Sequence, residues 1–406
     1  MITFFLFPAL ALLALLAYYH HRTAIILTAA FLPAYLLRFS VFGLPANFLE
    51  LAILVVATAC FIRPATRSRW ATAWRRLPIT FRILVLLFIT AAIVSTIISP
   101  HPYTSLGILK SWIIIPILFG WLIYSGSFLK IEKFNLKIIN ALMASGIAVS
   151  AIGLFQIFSL GRVKSVYSVP NSLALFLAPL LIIALWQKRW FYAAPIVLAL
   201  LATQSVSALI AITITLSLGI TFWAKPSSRK PALTILALFF ILAALFLSST
   251  GRLTYLTQFP NSISVRLQLW SISWDLIKEH PILGVGLGTF EPVYQQKLHE
   301  RFFTRRSLGE DRSPPLAEFV FRDPHNWILS FWLNTGLLGL LSFVGLNILV
   351  FFKFNSSATA LALALLALLL FGFTDTIYFK NDLAALHWIL LALVWRTCWR
   401  RRRSGG

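Results

Sequence analysis

The chain has 406 residues, of which 59% are apolar and 12% are charged, and its mean hydropathy is +0.85. Soluble domains carry about 25% charged residues, so this sequence holds more apolar residues than one aqueous core can bury. The composition therefore excludes an ordinary soluble enzyme and predicts an all-α polytopic membrane protein. The formal net charge of +23 lies in short Lys/Arg clusters between apolar runs, as in cytoplasmic loops, which argues against a nucleic-acid partner.

Apolar runs long enough to cross or nearly cross a bilayer recur along the chain. The segment 190–224 is too long for one span and fits two short ones that turn near Thr203 to Ser207. We predict thirteen spans, or twelve if the first two runs form a re-entrant pair, at about residues 2–19, 24–38, 47–62, 83–99, 108–124, 138–158, 170–186, 190–224 (two spans), 232–248, 327–352, 357–373 and 383–399.

The basic clusters set the predicted orientation. Alternating the spans places all of them on one side of the membrane: Arg22, 63–82, 130–137, 188–189, 225–230, Lys353 and 400–403. We therefore expect a multi-pass protein of the cytoplasmic (inner) membrane with a cytoplasmic C-terminus. The predicted domains are an N-terminal transmembrane bundle (1–248), an extracytoplasmic loop domain (249–324), and C-terminal transmembrane helices with a basic tail (325–406).

One long polar stretch, from about Ser249 to Asp323, interrupts the apolar pattern. It holds eight of the twelve acids and nine Lys/Arg residues. Apolar residues near helical period predict a helix over 264–277 that ends before Pro281, followed by a flexible glycine turn at 284–288 and a second helix around 290–303. This stretch is where we expect the chemistry.

Signatures of soluble enzymes are missing from the sequence. It has no P-loop, no His-Glu-x-x-His, no Gly-x-Ser-x-Gly and no Cys/His cluster, and its glycines at 284, 286 and 288 miss the dinucleotide-binding spacing. We accordingly predict no metal and no cofactor.

Two residues at opposite ends of the polar stretch have both an ordinary and a functional interpretation. His325, where the stretch returns to the membrane, is either an interfacial residue or a general base or phosphate ligand. Arg266 is either solvated on an exposed helix or a ligand for pyrophosphate, which guanidinium binds well. An anionic substrate is favoured by the further arginines of this stretch, namely Arg252, Arg301, Arg305, Arg306, Arg312 and Arg322.

Four passages together resemble the O-antigen ligase and O-antigen polymerase superfamily of membrane glycosyltransferases, which have a GT-C-like fold. The resemblance covers about residues 80–400. The passages are Ser168 to Ala174, Ser264-Val265-Arg266 with Trp270, His280 to Phe290, and His325-Asn326-Trp327 with Thr335 to Gly339.

The resemblance implies transfer of a glycan from a polyprenyl-diphosphate donor, on the outer membrane face, without metal or nucleotide. The implied acceptor is a glycolipid, a growing glycan or a protein, and membrane lipids surround the site. His325 and Arg266 match the family's essential histidine and arginine, and a neutral His325 would take the proton of the acceptor hydroxyl. The predicted substrate-binding residues are Arg162, Lys164, Asn171, Arg252, Arg322 and Asn326.

One position departs from the family's pattern. Members carry a Ser-Arg pair where this chain has Ser205-Val206, so a second guanidinium contact to the diphosphate is missing there. Arg162, Lys164 or another loop arginine replaces it, or the donor differs, or activity is reduced. Besides ligase and polymerase, a lipid-glycan flippase or transporter and an inactive scaffold therefore remain alternative hypotheses.

Overall fold

Helices account for nearly all secondary structure in the computed structural model, which describes residues 2–41, 44–126, 131–159, 161–258, 261–301, 321–354 and 356–404. The prediction of an all-α polytopic membrane protein is confirmed. Two short strands, β1 (Arg38–Val41) and β2 (Leu44–Asn47), pair in an antiparallel manner and were not predicted.

The N-terminal helix α1 (Ile2–Ala30) bends at His20, whose backbone leaves the helical region. Leu13 before the bend and Leu27 after it both line one apolar cavity. The first predicted span (2–19) and the beginning of the second (24–38) thus belong to one bent helix, of which Phe7–Ala30 is long and apolar enough to cross a membrane.

The arginine-rich segment after α2 (Phe48–Ile62) is helical, whereas we expected a loop. Helix α3 (Pro64–Arg76) turns by 104° relative to α2. Trp70 and Trp74 lie four residues apart on one face of α3 and pack against Phe61 and Trp121, with ring centroids 6.1 and 5.7 Å apart. The segment is therefore amphipathic, which a count of its charges does not reveal.

The middle of the chain forms a series of apolar helices. Val206 begins α10, so the predicted division of 190–224 into two helices is confirmed. A π-helical turn at Leu109–Ile114 joins α5 to α6. The helices are α4 (Ile79–Ile97), α5 (Pro102–Ile108), α6 (Ile115–Ser125), α7 (Ile131–Phe155), α8 (Pro170–Trp186), α9 (Trp190–Ala202), α10 (Val206–Trp223) and α11 (Pro226–Ser249).

The polar stretch contains α12 (Arg252–Thr257), α13 (Ser262–Glu279) and α14 (Phe290–His299). Helices α13 and α14 match the two predicted helices over the described residues, whereas α12 was not predicted. The Asn261 side chain caps α13 by accepting hydrogen bonds from the backbone N–H groups of residues 263 and 264. Leu269 and Phe290 belong to a small apolar cluster that includes Leu333 of α15 (Trp327–Lys353). The polar stretch is thus packed onto a long apolar helix.

The glycine turn is docked rather than flexible. Gly284 and Gly336 both have positive φ values, 72° and 68°. The N–H of Val285 donates to the carbonyl of Leu333, and the N–H of Leu337 donates to the carbonyl of Ile282, both at 2.9 Å. A Cβ atom at either glycine would collide with these carbonyl oxygens. The turn therefore interlocks with the bend in α15.

The chain closes with α16 (Thr359–Phe371) and α17 (Asn381–Ser404). Among the described helices, seven are long and apolar enough to cross a membrane, or eight if α2 and its bent continuation form one span. Three apolar helices are shorter: Pro170–Trp186, Trp190–Ala202 and Ser356–Phe371. The count of twelve or thirteen spans therefore stays a prediction.

Helix α8 lies at the centre of the bundle, since residues 172–184 are all buried. Its N-terminal end, at Pro170 and Asn171, faces a pocket between the polar stretch and the bundle. The core thereby holds one wall of the candidate site in place.

Candidate active site

Three elements meet at the end of the bundle that carries the polar stretch: the start of α13, the residues just before α15, and the turn between α16 and α17. Arg266 comes from the first and His325 from the second. The third contributes Asp375, which is 4% exposed. The two residues predicted to be catalytic are thus brought together by a carboxylate that sequence reasoning missed.

Asp375 is the acceptor that connects the site. Its Oδ1 lies 3.3 Å from His325 Nδ1, and its Oδ2 accepts a hydrogen bond from Asn171 Nδ2 at 2.9 Å. Arg266 Nη2 lies 4.0 Å from the same Oδ2. Burial would raise the pKa of this carboxyl, but the hydrogen bond and charge of His325, with the charges of Lys380 and Arg266, hold it well below its usual range.

His325 is held between two carboxylates. Its backbone N–H donates to Asp323 Oδ1 at 2.9 Å, and its φ of 50° is uncommon for a residue with a side chain. Burial would lower its pKa, but the charges of Asp323 and Asp375 and the hydrogen bond to Asp375 outweigh burial and raise the pKa to about 9. The imidazole is therefore protonated at neutral pH, and both ring nitrogens can donate.

Arg266 is fixed by backbone carbonyls as well as by charge. Its Nε donates to the carbonyl of Thr374 at 2.7 Å, and its Nη1 donates to the carbonyl of Ser262 at 3.2 Å. These two contacts tie α13 to the turn that carries Asp375. The guanidinium therefore has a set direction toward the pocket, with little rotamer freedom left to lose on binding.

The pocket around these residues has a volume of about 460 Å³. Arg162 and Arg252 line it together with Arg266, His325 and Asp375. Burial, and next the charge of Arg252, lower the pKa of Arg162 to about 10, and burial with the charge of Arg266 lowers the pKa of Arg252. The arginines thus repel one another, and a bound polyanion would relieve that repulsion.

Arg162 comes from the loop before α8 and is directed by the turn between α9 and α10. Its Nε donates to the carbonyl of Thr203 at 3.0 Å, and its Nη2 lies 3.5 Å from Asn171 Oδ1. Val206 begins α10 three residues after Thr203. A guanidinium therefore stands next to the turn at which the resemblance leads us to expect an arginine and this chain has Val206.

The other predicted binding residues lie elsewhere. Lys164 is exposed and outside the lining of the pocket. Asn326 caps α15, because its Oδ1 accepts from the N–H groups of Ile328 and Leu329. Arg322 lines a neighbouring chamber, 3.8 Å from Glu291. Arg305, Arg306 and Arg312 lie outside the described residues.

Asp375 and Lys380 lie in the turn 372–380, a short connection between two predicted spans in which we predicted no functional residue. The sequence does contain a feature that points to Asp375: only four of the twelve acids lie outside the polar stretch, at positions 50, 132, 375 and 382. The alternation of spans also places this turn on the same side as the polar stretch. An acidic residue in a short loop on the same membrane side as the polar stretch is itself a candidate functional residue.

The fold and the site define a polytopic helical membrane protein with an arginine-lined pocket at one end of its bundle. A family model described as O-antigen ligase matches residues 191–344, from α9 into α15, a range that includes Arg266 and His325. The match confirms the resemblance found in the motifs and supports a place for the chain in the O-antigen ligase family. The family comprises membrane glycosyltransferases and ligases, which supports enzymatic activity in general. No curated protein matches the chain significantly.

Proposed function

We propose that the chain transfers a glycan from a polyprenyl-diphosphate donor to an acceptor at the outer face of the cytoplasmic membrane. The observation that carries the proposal is the pocket in which Arg162, Arg252 and Arg266 converge beside His325 and its partner, the buried Asp375. A diphosphate is the group that such a cluster binds best, because each guanidinium offers paired N–H donors to phosphate oxygens.

The arginines act most strongly on the leaving group. As the bond between the glycan and the diphosphate breaks, negative charge grows on the phosphate oxygens. Donors that are already oriented stabilise that charge without reorganisation. Arg266 and Arg162 meet this requirement, since backbone carbonyls direct both side chains.

His325 has two candidate roles, general base and phosphate ligand, and its surroundings favour the second. Its raised pKa makes it an imidazolium at neutral pH, and a cation next to the pocket attracts the diphosphate. Asp375 holds Nδ1, which leaves Nε2 as the donor available to the substrate. Asp375 is then a positioning residue.

The experiment that tests the function compares transfer with binding. Purified full-length protein in nanodiscs is given polyprenyl-diphosphate-linked glycan and acceptor glycolipid, and product formation and donor binding are measured for His325→Ala. We expect product formation to fall by roughly a hundredfold or more while donor binding weakens far less. His299→Ala is the matched control, because His299 is exposed on α14 and outside the pocket.

A lipid-glycan flippase or transporter is the competing class. It would bind the donor through the same arginines and form no product, and His325→Ala would change its transport little. Wild-type protein that binds donor, translocates it and never yields a glycosylated acceptor would overturn the proposed transfer. A polymerase of the same superfamily would differ only in using a growing glycan as acceptor.

A further inference from the structure

A separate cavity lies at the end of α2 that points away from the candidate active site. Helix α2 begins beside that site, because Glu50 Oε1 accepts a hydrogen bond from Asn381, which directly follows the turn 372–380. Its 15 residues extend over about 22 Å to Ile62. The cavity adjoins this far end, and its volume of about 380 Å³ lies within the range of about 300–1,000 Å³ found for ligand sites.

The cavity forms where the bend of α1 meets the junction of α2 and α3. Arg63, at this junction, donates hydrogen bonds from Nη1 to the carbonyls of Tyr18 and Tyr19 at 3.2 and 3.4 Å. These two residues directly precede the bend at His20. The contacts therefore tie the end of α2 to the bend and hold the two walls of the cavity together.

The lining of the cavity is basic. It carries three guanidinium and two imidazole groups, and none of the described residues that line it is acidic. We call it the basic cavity, and its residues are Tyr19, His20, His21, Arg22, Thr23, Arg63, Thr66 and Arg69. Positive groups gathered in a concave site without a carboxylate attract an anion.

Two nitrogen atoms of this lining lack a partner. Arg22 Nε and His21 Nε2 are shielded from solvent, and neither has a hydrogen-bond partner among the described residues. The arginine nitrogen is always a donor, and the histidine nitrogen donates in one neutral tautomer and in the imidazolium. Because a buried donor without an acceptor is unfavourable, an anion with several oxygen atoms, such as a phosphate group, would complement these residues.

Exposed apolar side chains stand beside the basic cavity. Tyr19 is 65% exposed, and Phe61 and Ile62, which directly precede Arg63, are 54% and 61% exposed. Helix α3 turns by 104° from the direction of α2, as expected where a span reaches the membrane surface. Aromatic and basic side chains together are typical of that surface, so a ligand of this cavity has a charged head beside an apolar tail.

We propose that the basic cavity binds the headgroup of an anionic phospholipid in the leaflet opposite the polar stretch. The headgroup phosphate accepts hydrogen bonds from the arginines, and the acyl chains lie against the exposed side chains of α1 and α2. Basic pockets between transmembrane helices bind such headgroups in other membrane proteins. A choline headgroup binds less well, because the guanidinium groups repel its ammonium. Lipid binding here is independent of the proposed glycan transfer.

Native mass spectrometry of the full-length protein in detergent tests the site. Phosphatidylglycerol, cardiolipin and phosphatidylcholine with matched acyl chains are titrated, and the Kd of the most tightly bound lipid is measured. We expect both anionic lipids to bind roughly tenfold or more tightly than phosphatidylcholine. Replacing Arg22 and Arg69 together by Gln should weaken anionic-lipid binding roughly twentyfold, since each lost charge costs about fivefold, and should leave phosphatidylcholine binding unchanged.

Further variants separate the loss of the site from misfolding. Arg22→Lys with Arg69→Lys keeps both charges and should retain most of the affinity, and Arg69→Gln alone should weaken binding about fivefold. Lys225→Gln with Lys230→Gln is the matched control, because it removes two exposed charges from a basic cluster outside the basic cavity. Its Kd for phosphatidylglycerol should stay within twofold of the wild-type value, and thermal unfolding checks that each variant is folded.

Equal binding of phosphatidylglycerol and phosphatidylcholine by the wild-type protein would overturn the inference. So would an equal loss of affinity in the control at Lys225 and Lys230, because the attraction would then come from diffuse surface charge. Glycerol phosphate has the headgroup chemistry without acyl chains. If it binds as tightly as phosphatidylglycerol, the ligand is a soluble phosphate and the lipid assignment is wrong.

Discussion

His325 Nδ1 lies 3.3 Å from Oδ1 of Asp375, a carboxylate 50 residues further along the chain that is almost fully buried. A buried carboxylate this close favours the protonated imidazole and fixes the ring's orientation. The same carboxylate accepts a hydrogen bond from Asn171. One side chain therefore joins three of the passages that carry the family resemblance: those at Asn171, Arg266 and His325.

The pH dependence of transfer follows from this pair. Because the pKa of His325 is raised to about 9, the imidazolium is present below that pH and is lost as the pH rises through it. Asp375 stays ionised throughout, since its pKa is lowered. We expect kcat/KM to be flat from about pH 6 to 8 and to fall above about pH 9. A rate that instead rises through pH 9 would assign His325 the role of general base.

Asp375→Asn provides the control for that profile. It keeps the shape of the side chain and removes one of the two carboxylate charges that raise the pKa of His325, the other being that of Asp323, so the alkaline limb should move to lower pH by about one unit. A residue that merely supported the fold would lower the amount of active protein without moving the limb. An unchanged limb in Asp375→Asn would contradict the positioning role.

Arg266 should be irreplaceable by lysine. Arg266→Ala is expected to lower transfer by roughly a hundredfold or more, and Arg266→Lys should recover little, because an ammonium group cannot hold the carbonyls of both Thr374 and Ser262 while facing the diphosphate. Initial rates of glycan transfer in membranes measure the effect. Arg301→Ala, on the exposed side of the same stretch, is the control. Wild-type transfer by Arg266→Ala would refute the assignment.

Arg162 should take over the function of the arginine that is missing at position 206. We expect Arg162→Ala to raise the KM for the donor roughly tenfold or more, since one charged contact to the diphosphate is lost. Adding Val206→Arg to that variant should restore part of the affinity, because Val206 lies one turn from the carbonyl that directs Arg162.

Lys164→Ala serves as the control for Arg162, since Lys164 lies on the same loop but is exposed and outside the pocket. Its donor KM should stay within twofold of the wild-type value. An equal effect of both single variants would mean that the loop acts through its general positive charge, and not through a contact of Arg162.

The interlock between the glycine turn and α15 should dominate the stability of the polar stretch. Gly284→Ala and Gly336→Ala are expected to destabilise the protein by roughly 2 kcal/mol or more, because each adds a Cβ against a carbonyl at a positive φ. Thermal unfolding of purified protein in detergent measures the change. Gly251 also has a positive φ, but an added Cβ would meet no atom within 4 Å. Gly251→Ala therefore measures the cost of the backbone strain alone, without a steric collision. Gly107→Ala has neither, and should be close to neutral.

The class of the protein, most helices and two central residues of the candidate site could be predicted from the sequence alone. Run length and periodicity are local properties, so the divided segment 190–224 and the helices of the polar stretch could be predicted. Arg266 and His325 could be selected because they stand in recognisable motifs at the ends of that stretch. Helix α3 was not predicted, because Trp70 and Trp74 form its packing face, whereas the prediction considered only its charges.

The other residues of the candidate site can be identified only from the packing of the folded chain. Asp375 stands in a turn with no motif, and the carbonyl of Thr374 that holds Arg266 is 108 residues away in sequence. Lys164 and Arg162 are near neighbours on one loop, yet only Arg162 lines the pocket. Which residues form the site depends on where α8, α13, α15 and the turn 372–380 converge. That convergence is set by packing between distant helices, which no local pattern encodes.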